Sequence, residues 1–267
     1  MNSLAVITGA TGGIGGAIAE ALCAQGYSVC LVGRDQQKLT SMHTELASCH
    51  AGASVYSFNC DITESLQRES LVQSVMAIKE PLALWVNTAG INQFGLFEGQ
   101  DEQVIMDQLA VNATAPMLLT KTVICAVDKA KPLQIINVGS TFGTIGYAGF
   151  VAYSASKFAL RGFSEALGRE LSDTAIQIRY FAPRATKTAI NAPNVVAMNQ
   201  ALKVVMDEPP IVAQAFIRFL QSRAAIGYVG FPETFFARLN SLLPSVVSKA
   251  LKKQLLTIKA YAVQHQD

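Results

Sequence analysis

The stretch TGATGGIG, residues 8–15, follows the hydrophobic run LAVIT (residues 4–8) and opens a segment with helical periodicity. Glycines at such a turn let the backbone approach a pyrophosphate, and the free N–H groups at the start of the helix point toward it. A tight turn without a ligand would also use glycines. The spacing TGxxxGxG is narrower than the generic glycine motif, however, and it lies between a strand and a helix, as the motif requires. The stretch therefore predicts the first strand–turn–helix unit of a nucleotide-binding fold.

The rest of the chain continues this alternation of short aliphatic runs and longer amphipathic stretches. It predicts a Rossmann-like α/β fold, a doubly wound, seven-stranded parallel sheet flanked by helices, with a C-terminal helical tail. Neither a linker nor a repeat interrupts the pattern, so we predict a single domain over residues 1–267 with its core at about 3–230. The predicted strands span residues 4–8, 28–32, 54–58, 82–87, 134–138, 176–181 and 226–230. The predicted helices lie near residues 13–25, 36–48, 64–79, 102–129, 152–171 and 209–222.

Two segments depart from the alternation. Residues 183–208 contain two prolines and no clear period, which predicts a substrate loop. Residues 234–263 form a C-terminal tail with no acidic residue and a roughly helical period that Pro244 breaks. A basic amphipathic tail is compatible with peripheral contact to a membrane surface, but we favour packing on a partner subunit or over the mouth of the substrate site. The basic residues of the tail are Arg238, Lys249, Lys252, Lys253 and Lys259.

The composition limits the classes of function. Only 15% of the 267 residues are charged and 51% are hydrophobic, as expected for a parallel sheet buried on both faces. The net charge of +2 and the absence of zinc-finger or RNA-binding motifs argue against nucleic-acid binding. No uninterrupted apolar run approaches the roughly 20 residues of a transmembrane segment. The N-terminus shows no secretory signal, so we expect a cytoplasmic protein.

Cysteine and histidine residues form no metal-binding pattern. The five cysteines are scattered, odd in number and without CxxC spacing, so we expect reduced, buried thiols in a reducing compartment. His43, His50 and His265 lie away from every motif, and without a third ligand they are expected on the surface. We therefore predict no metal site.

The end of the second predicted strand, LVGRD (residues 31–35), indicates which nucleotide is bound. NAD-binding sheets carry an acidic residue at this strand end, where it holds the ribose 2′-hydroxyl. Here Gly33 occupies that place and Arg34 follows, which favours the 2′-phosphate of NADP(H) and leaves NAD(H) as the alternative. Arg34 as an ordinary surface arginine stays open. Asp35 weakens the interpretation, because it is a candidate partner of Arg34 as well as a cap for the next helix.

The motif YSASK (residues 153–157) places Tyr153 and Lys157 one helical turn apart. Free tyrosine has a pKa near ~10, and a neighbouring ammonium lowers it, so the pair is a candidate acid–base unit. Alone, the pattern YxxxK usually marks only a helix surface. Three further motifs accompany it here, namely NTAG (residues 87–90), VNATAP (residues 111–116) and NVGST (residues 137–141).

Together with TGATGGIG, these motifs resemble the short-chain dehydrogenase/reductase family in its main form, over roughly residues 3–230. The resemblance implies an NAD(P)-dependent oxidoreductase in which Tyr153 protonates the carbonyl oxygen during reduction. Lys157 would hold the nicotinamide ribose and lower the pKa of the tyrosine. Ser140 would hydrogen-bond the substrate oxygen, and Asn112 would anchor a water that relays protons to the lysine.

The same resemblance implies where the cofactor binds. Asp61 would contact the adenine, Asn87 and Ala89 would lie beside the adenosine ribose, and the segment after the sixth strand would contact the nicotinamide. The implied cofactor-binding residues are Gly9, Thr11, Gly12, Gly13, Ile14, Gly15, Arg34, Asp61, Ile62, Asn87, Ala89, Gly90, Tyr153, Lys157, Pro183, Thr186 and Thr188.

The segment APRATKT (residues 182–188) departs from the family, which usually has glycine where Arg184 stands. Two interpretations are open: a structural, solvent-facing arginine, slightly favoured, or a residue that meets an anionic group of the substrate. The apolar residues of TFGTIGYAGF (residues 141–150) and of the substrate loop predict a hydrophobic carbonyl or alcohol as substrate. The predicted substrate contacts are Ser140, Phe142, Tyr147, Tyr153 and Arg184.

Three functions follow as alternatives. The leading one is an NADPH-dependent carbonyl reductase acting on a hydrophobic ketone or 3-oxoacyl compound. The second is an NAD-dependent alcohol or hydroxysteroid-type dehydrogenase working in the oxidative direction. The third, a non-catalytic nucleotide-binding regulator, is disfavoured because Asn112, Ser140, Tyr153 and Lys157 are all present. The resemblance also implies a homodimer or homotetramer through the helices near 102–129 and 152–171.

Overall fold

Seven parallel strands form the central sheet of the computed structural model, which describes residues 2–230 and 233–263. The strands are β1 Leu4–Thr8, β2 Ser28–Gly33, β3 Val55–Asn59, β4 Leu82–Asn87, β5 Leu133–Val138, β6 Ile176–Ala182 and β7 Ile226–Tyr228. Their order is β3-β2-β1-β4-β5-β6-β7, so the chain winds outward from β1 in one direction and then returns to continue from β4 in the other. The predicted doubly wound sheet is confirmed.

Both faces of the sheet are buried, which explains why its strands are uniformly hydrophobic. In β1, Leu4 and Val6 belong to the hydrophobic core on one face, and Ala5 and Ile7 to the core on the other. All four side chains are fully buried. Because side chains alternate along a strand, only a continuous apolar run fills both cores.

The helices cover the two faces and the carboxyl edge of the sheet. They are α1 Gly13–Ala24, α2 Gln36–Cys49, α3 Ser65–Met76, α4 Glu102–Leu109, α5 Ala115–Ala126, α6 Val151–Glu170, α7 Pro193–Ala201, α8 Pro209–Gln221, α9 Glu233–Leu242, α10 Pro244–Lys252 and α11 Leu255–Val263. The predicted substrate loop thus contains a helix, α7, which its sequence did not indicate. Proline at the start of α7 removes an N–H that has no partner in the first turn of a helix.

A π-helical turn, Ala110–Thr114, joins α4 to α5 where one continuous helix was predicted. The whole stretch, Glu102–Ala126, is the one helix in the described part of the chain that is long and apolar enough to cross a membrane by length and composition alone. This is weak evidence for a span, because Leu119 and Val123 of α5 are fully buried in the core beneath the sheet.

The C-terminal tail folds into α9, α10 and α11. Pro244, at which the helical period breaks, is the first residue of α10. Ile258 of α11 is buried against Val195 and Met198 of α7, so the end of the chain packs on the substrate loop. Neither this packing nor the comparisons below supports the membrane contact that the basic amphipathic tail left as the less favoured alternative. The Arg238 side chain lies outside the described residues.

The cysteine prediction is partly wrong. All five thiols are free, but Cys49 and Cys125 are exposed and only Cys23, Cys30 and Cys60 are buried. Cys49 is the last residue of α2 and Cys125 lies in the last turn of α5, away from either core. His43 and His50 are partly exposed, and His265 lies outside the described residues.

Candidate active site and cofactor cleft

The candidate site lies at the carboxyl ends of β1 and β4, where the sheet reverses its winding direction. Open α/β sheets bind their ligands at this switch point. Two cavities of about 450 Å³ and about 430 Å³ adjoin there, and their linings share Ile14, Thr88, Gly90, Thr188 and Ile190. The first, the cofactor cleft, is bordered by the glycine turn. The second, the substrate cavity, is bordered by Tyr153.

Two glycines of the turn are required by close contacts. Gly9 has a φ of +64°, and a Cβ there would lie 2.7 Å from the Cα of Ala89. A Cβ at Gly13 would lie 2.6 Å from the Cγ2 of Thr188, so the substrate loop reaches the glycine turn. Any other residue would push the turn away from β4 or from the loop. Bare backbone therefore borders the cleft at the N-terminus of α1, which fits a pyrophosphate.

The structure brings most of the predicted cofactor residues to the two cavities. Pro183, Thr186, Tyr153 and Lys157 line the substrate cavity. The predicted residues that line the cofactor cleft are Gly9, Thr11, Gly12, Gly13, Ile14, Gly15, Arg34, Asp61, Ile62, Ala89, Gly90 and Thr188.

Asn87 is the exception. Its side chain accepts a hydrogen bond from Trp85 Nε1 (3.1 Å) and donates to Thr120 Oγ1 (3.3 Å) and Asn137 Oδ1 (2.8 Å). It is 3% exposed and does not line the cofactor cleft. The Asn87 side chain therefore holds β4 against β5 and α5, and the position of Asn87 beside the adenosine ribose stays a prediction.

The end of the cleft next to β2 carries two cations. Arg34 lies 3.6 Å from the Asp61 carboxylate, and its side chain is 64% exposed. Asp35 caps α2 by accepting from the backbone N–H of Lys38 (3.1 Å), and it also pairs with the Lys38 ammonium. Of the alternatives for Asp35, the structure thus shows the cap. Lys38, which the sequence did not single out, lines the cleft beside Arg34.

Tyr153 and Lys157 lie on the face of α6 that borders the substrate cavity. The Lys157 ammonium lies 5.7 Å from the centroid of the Tyr153 ring and donates to the carbonyl of Val138 (3.1 Å). Lys157 is only 4% exposed. The Lys157 ammonium therefore lies between the Tyr153 ring and the carboxyl end of β5.

Asn112 lies in the π-helical turn and connects β4 to α6. Its Oδ1 accepts from the backbone N–H of Ile91 (2.8 Å), and its Nδ2 donates to the carbonyl of Ile91 (2.8 Å) and to Ser156 Oγ (3.0 Å). Ser156 in turn donates to the carbonyl of Tyr153 (2.7 Å). The side chain thus fixes the turn of α6 that carries Tyr153, and the water relay stays a prediction.

Ser140 follows β5, and a buried tyrosine fixes its position. The Ser140 backbone N–H donates to the Tyr180 hydroxyl (3.2 Å), which donates to the carbonyls of Ser140 (3.2 Å) and Lys157 (3.4 Å). The Ser140 hydroxyl accepts from the backbone N–H of Phe142 (3.1 Å). Tyr180 of β6 therefore joins the backbone at Ser140 to the turn of α6 that carries Lys157.

Aromatic and aliphatic side chains form most of the substrate cavity. Phe142 and Tyr147 stack with ring centroids 4.8 Å apart, and the Tyr153 ring meets Phe142 edge-on at 6.4 Å. Phe150 packs against both of the stacked rings. The predicted substrate contacts Phe142 and Tyr147 do line the cavity. Such a lining favours an apolar ligand.

Comparisons with known proteins agree with this geometry. A family model described as short chain dehydrogenase matches residues 3–198. The chain is 36% identical to nodulation protein G of Rhizobium meliloti over 70% of this chain and 74% of that protein. It is 31% identical to the 3-oxoacyl-acyl-carrier-protein reductase FabG of Salmonella typhimurium over 69% of this chain and 74% of that protein. A solved actinorhodin polyketide ketoreductase with NADPH, 26% identical, superposes with a TM-score of 0.75 over 85% of this chain and 95% of that one.

The chain belongs to the short-chain dehydrogenase family. It is accordingly an NAD(P)-dependent oxidoreductase of the dehydrogenase/reductase type. The TGxxxGxG and YxxxK motifs that carried the resemblance both lie within the matched residues. Beyond residue 198 the family model gives no correspondence, and this part includes α8 and the C-terminal tail.

Burial is the main cause of the pKa shifts of Tyr153 and Lys157, the residues of the YxxxK motif. It raises the pKa of Tyr153 to about 12, opposed by the hydrogen bond with Ser140, and lowers the pKa of Lys157 to about 8. Burial outweighs the other influences on the pKa of Tyr153 in this structure, and the lowering of that pKa by Lys157 stays a prediction. Removing both groups from water disfavours both charged forms, and the ammonium lies over the ring instead of at the phenol oxygen.

Arg184 replaces the usual glycine of the short-chain dehydrogenases. The favoured prediction was a structural, solvent-facing arginine, but the side chain is largely buried. Its guanidinium forms a two-point ion pair with the Asp207 carboxylate, at 2.8 and 2.7 Å. The two side chains are 14% and 7% exposed. Asp207 also pairs through its backbone with Ala185 and Lys187. The ion pair therefore joins the two ends of the substrate loop, and an anion of the substrate would have to compete with Asp207.

Sequence reasoning missed Lys38, Asp207, Tyr180 and Gln254. The i,i+4 spacing of Arg34 and Lys38 is a signal that could have identified the second cation of the cleft. For Asp207 and Gln254 no local signal exists, because their partners Arg184 and Tyr147 lie far away in the chain.

Proposed function

We propose that this protein is an NADPH-dependent reductase of apolar carbonyl compounds. The observation that carries the proposal is the position of Ser140, Tyr153 and Lys157 on the wall of an apolar cavity that opens onto the cofactor cleft. A carbonyl in this cavity would meet two hydroxyl groups on one side and the nicotinamide end of the cleft on the other.

The chemistry divides between cofactor and protein. NADPH, when bound, supplies the hydride that adds to the carbonyl carbon. Tyr153 donates its proton to the carbonyl oxygen, and Ser140 donates a hydrogen bond to the charge that develops there. With a pKa of about 12, Tyr153 holds its proton at neutral pH. Lys157, charged below about pH 8, stabilises the phenolate left by proton transfer and binds the ribose hydroxyls.

The preference for NADPH over NADH rests on Arg34 and Lys38. Both line the ribose end of the cleft, and the strand end that would carry an acidic residue in an NAD-binding protein is Gly33. Two neighbouring cations favour a 2′-phosphate. The solved ketoreductase that resembles this chain was crystallised with NADPH.

A 3-oxoacyl compound is the second candidate substrate. The names of two matched proteins, the 3-oxoacyl-acyl-carrier-protein reductase and the polyketide ketoreductase, favour this class. The aromatic lining of the cavity fits the acyl chain. Oxidation of an alcohol with NAD stays the alternative direction for the same residues.

The experiment that tests this function compares the wild type with Tyr153→Phe, with Tyr56→Phe as control. Tyr56 lies on β3, where its hydroxyl donates to Glu80. Oxidation of NADPH and of NADH is followed with a panel of apolar ketones and 3-oxoacyl thioesters. We expect turnover with NADPH, loss of about a hundredfold or more in Tyr153→Phe, and unchanged NADPH fluorescence titrations. No turnover with any carbonyl, or an active Tyr153→Phe, would refute the proposal.

We further propose that the protein is a cytoplasmic homo-oligomer. The five free thiols fit a reducing compartment. Exposed apolar side chains on α4, α5 and α6 fit a subunit interface through these helices.

A further inference from the structure

The outer wall of the substrate cavity is built by the C-terminal tail. Phe236 of α9, Val247, Ala250 and Leu251 of α10, and Gln254 between α10 and α11 all line it. Gln254 is the single polar side chain that the described part of the tail contributes to this wall.

The hydrogen bonding of Gln254 is only half complete. Its Oε1 accepts from the Tyr147 hydroxyl at 2.5 Å. Among the residues that the structure describes, its Nε2 has no hydrogen-bond partner. The Tyr147 hydroxyl, whose pKa burial raises to about 12, keeps its proton, and the carboxamide lies with its oxygen toward this hydroxyl. The two N–H groups of Gln254 are left as donors in the cavity wall.

The orientation of Gln254 is supported from two sides. Tyr147 is held in place because its ring stacks on the ring of Phe142, and the two ring planes differ by 9°. On the tail, the Gln254 carbonyl accepts from the backbone N–H of Ile258 (3.0 Å), at the start of α11, and Ile258 is buried. The donor is thus fixed by rigid neighbours, as a recognition group requires.

We propose that Gln254 donates a hydrogen bond to a second oxygen of the substrate, remote from the carbonyl that is reduced. The substrate is then an apolar oxo-ester, oxo-thioester or dicarbonyl compound, and the tail is the element that selects it. This inference rests on the proposed function, because the same cavity holds Tyr153 and Ser140. A site built to hydrogen-bond an oxygen discriminates against the analogue without it.

Two variants separate recognition from a purely structural role. Gln254→Glu has the same shape, still accepts from Tyr147, and has no N–H to offer at pH about 8, where a carboxyl group is ionised. Gln254→Met removes both the bond to Tyr147 and the donors. Gln221→Glu, at the exposed end of α8, is the matched control. Thermal denaturation shows that all variants fold.

The substrates are ethyl oxo-esters in which one to four carbons separate ketone and ester, each paired with the ketone of equal length in which methylenes replace the ester. For each pair we would measure kcat/KM with NADPH and the thermal stabilisation of the NADP⁺-loaded protein. The intrinsic reactivity of each ketone cancels when the preference for ester over ketone is compared between wild type and variant.

We expect the wild type to prefer at least one oxo-ester, and the preference to fall roughly three- to tenfold in both Gln254 variants, as for one lost hydrogen bond. An unchanged preference in Gln254→Glu would overturn the inference and leave Gln254 as a structural contact of Tyr147. The inference would also be overturned if the wild type showed the same kcat/KM for the oxo-ester and the matched ketone in every pair. Binding preference without turnover would instead refute the reductase function and retain the Gln254 site.

Discussion

At the scale of single residues, Lys157 combines its proposed role in the site with a cost in stability. Its ammonium is buried and donates to one backbone carbonyl, Val138. A pKa lowered to about 8 means that the fold disfavours the charged form. A charge kept at such a cost is typical of groups that act on a ligand, which fits the proposed role of Lys157 toward the ribose and the Tyr153 phenol.

We therefore predict that Lys157→Met stabilises the protein without cofactor. At neutral pH the lysine is charged in both the folded and the unfolded state, so the folded wild type bears the full cost of burial, on the order of 3 kcal/mol. The lost hydrogen bond to Val138 offsets about 1 kcal/mol. As pH rises from about 8 toward the ordinary lysine pKa of about 10.5, the folded lysine loses its proton first and the cost disappears.

The measurement is the difference in Tm between Lys157→Met and wild type across this pH range. It should be positive at pH about 7 and shrink as pH rises toward the ordinary pKa of lysine. Lys131→Met, at an exposed position, should show no such trend. A difference that grows with pH, or a variant less stable than the wild type at neutral pH, would contradict the prediction.

At the scale of elements, the substrate loop is held by ion pairs of two kinds. Arg184 and Asp207 are largely buried, whereas the neighbouring pair Lys187 and Glu208, at 2.5 Å, has side chains 58% and 53% exposed. Buried pairs couple strongly because removing one partner leaves a desolvated charge, whereas exposed pairs are worth little.

A double-mutant cycle tests this difference. With Asp207→Asn and Arg184→Met, singly and together, we expect a coupling energy of about 1–3 kcal/mol in the free energy of unfolding by urea. The matched cycle with Glu208→Gln and Lys187→Met should give about 0.5 kcal/mol or less. The Asp207→Asn variant should also bind NADPH more weakly, because Thr188 of the same loop touches the glycine turn at Gly13. If the changes in unfolding free energy at Arg184 and Asp207 were additive, the ion pair would not hold the substrate loop in place.

The elements also show how far the sequence could lead. The strands, the glycine turn and the pair Tyr153 and Lys157 were predictable because their signals are local: apolar runs, glycines at a strand end, and i,i+4 spacing on a helix. The π-helical turn at Asn112 was not, because α4 and α5 share one continuous helical period. Contacts such as Tyr147 with Gln254 depend on how the C-terminal tail packs, which no local pattern encodes.

For the whole molecule, the unexplained feature is an apolar surface on its long helices. On α4 and α5, Met106, Leu109 and Leu118 are 53%, 38% and 40% exposed, and on α6 Val151 and Phe158 are 43% and 42% exposed. Met106, Leu109 and Leu118 lie in Glu102–Ala126, the one stretch of the described residues that is long and apolar enough to cross a membrane by length and composition. A subunit interface through these helices accounts for the same apolar side chains without a bilayer.

We predict that the wild type is a dimer or tetramer in solution and that Phe158→Glu shifts it toward smaller species. A carboxylate placed in an apolar interface is desolvated without a partner, which costs several kcal/mol per copy. Leu66→Glu, at an 80% exposed position on α3, is the control and should keep the wild-type mass. Light scattering coupled to size exclusion measures the mass, and NADPH titration shows that the cleft stays intact. A monomeric wild type, or a Phe158→Glu variant of unchanged mass, would refute an interface through these helices. Binding to lipid vesicles would then test whether their apolar surface contacts a membrane.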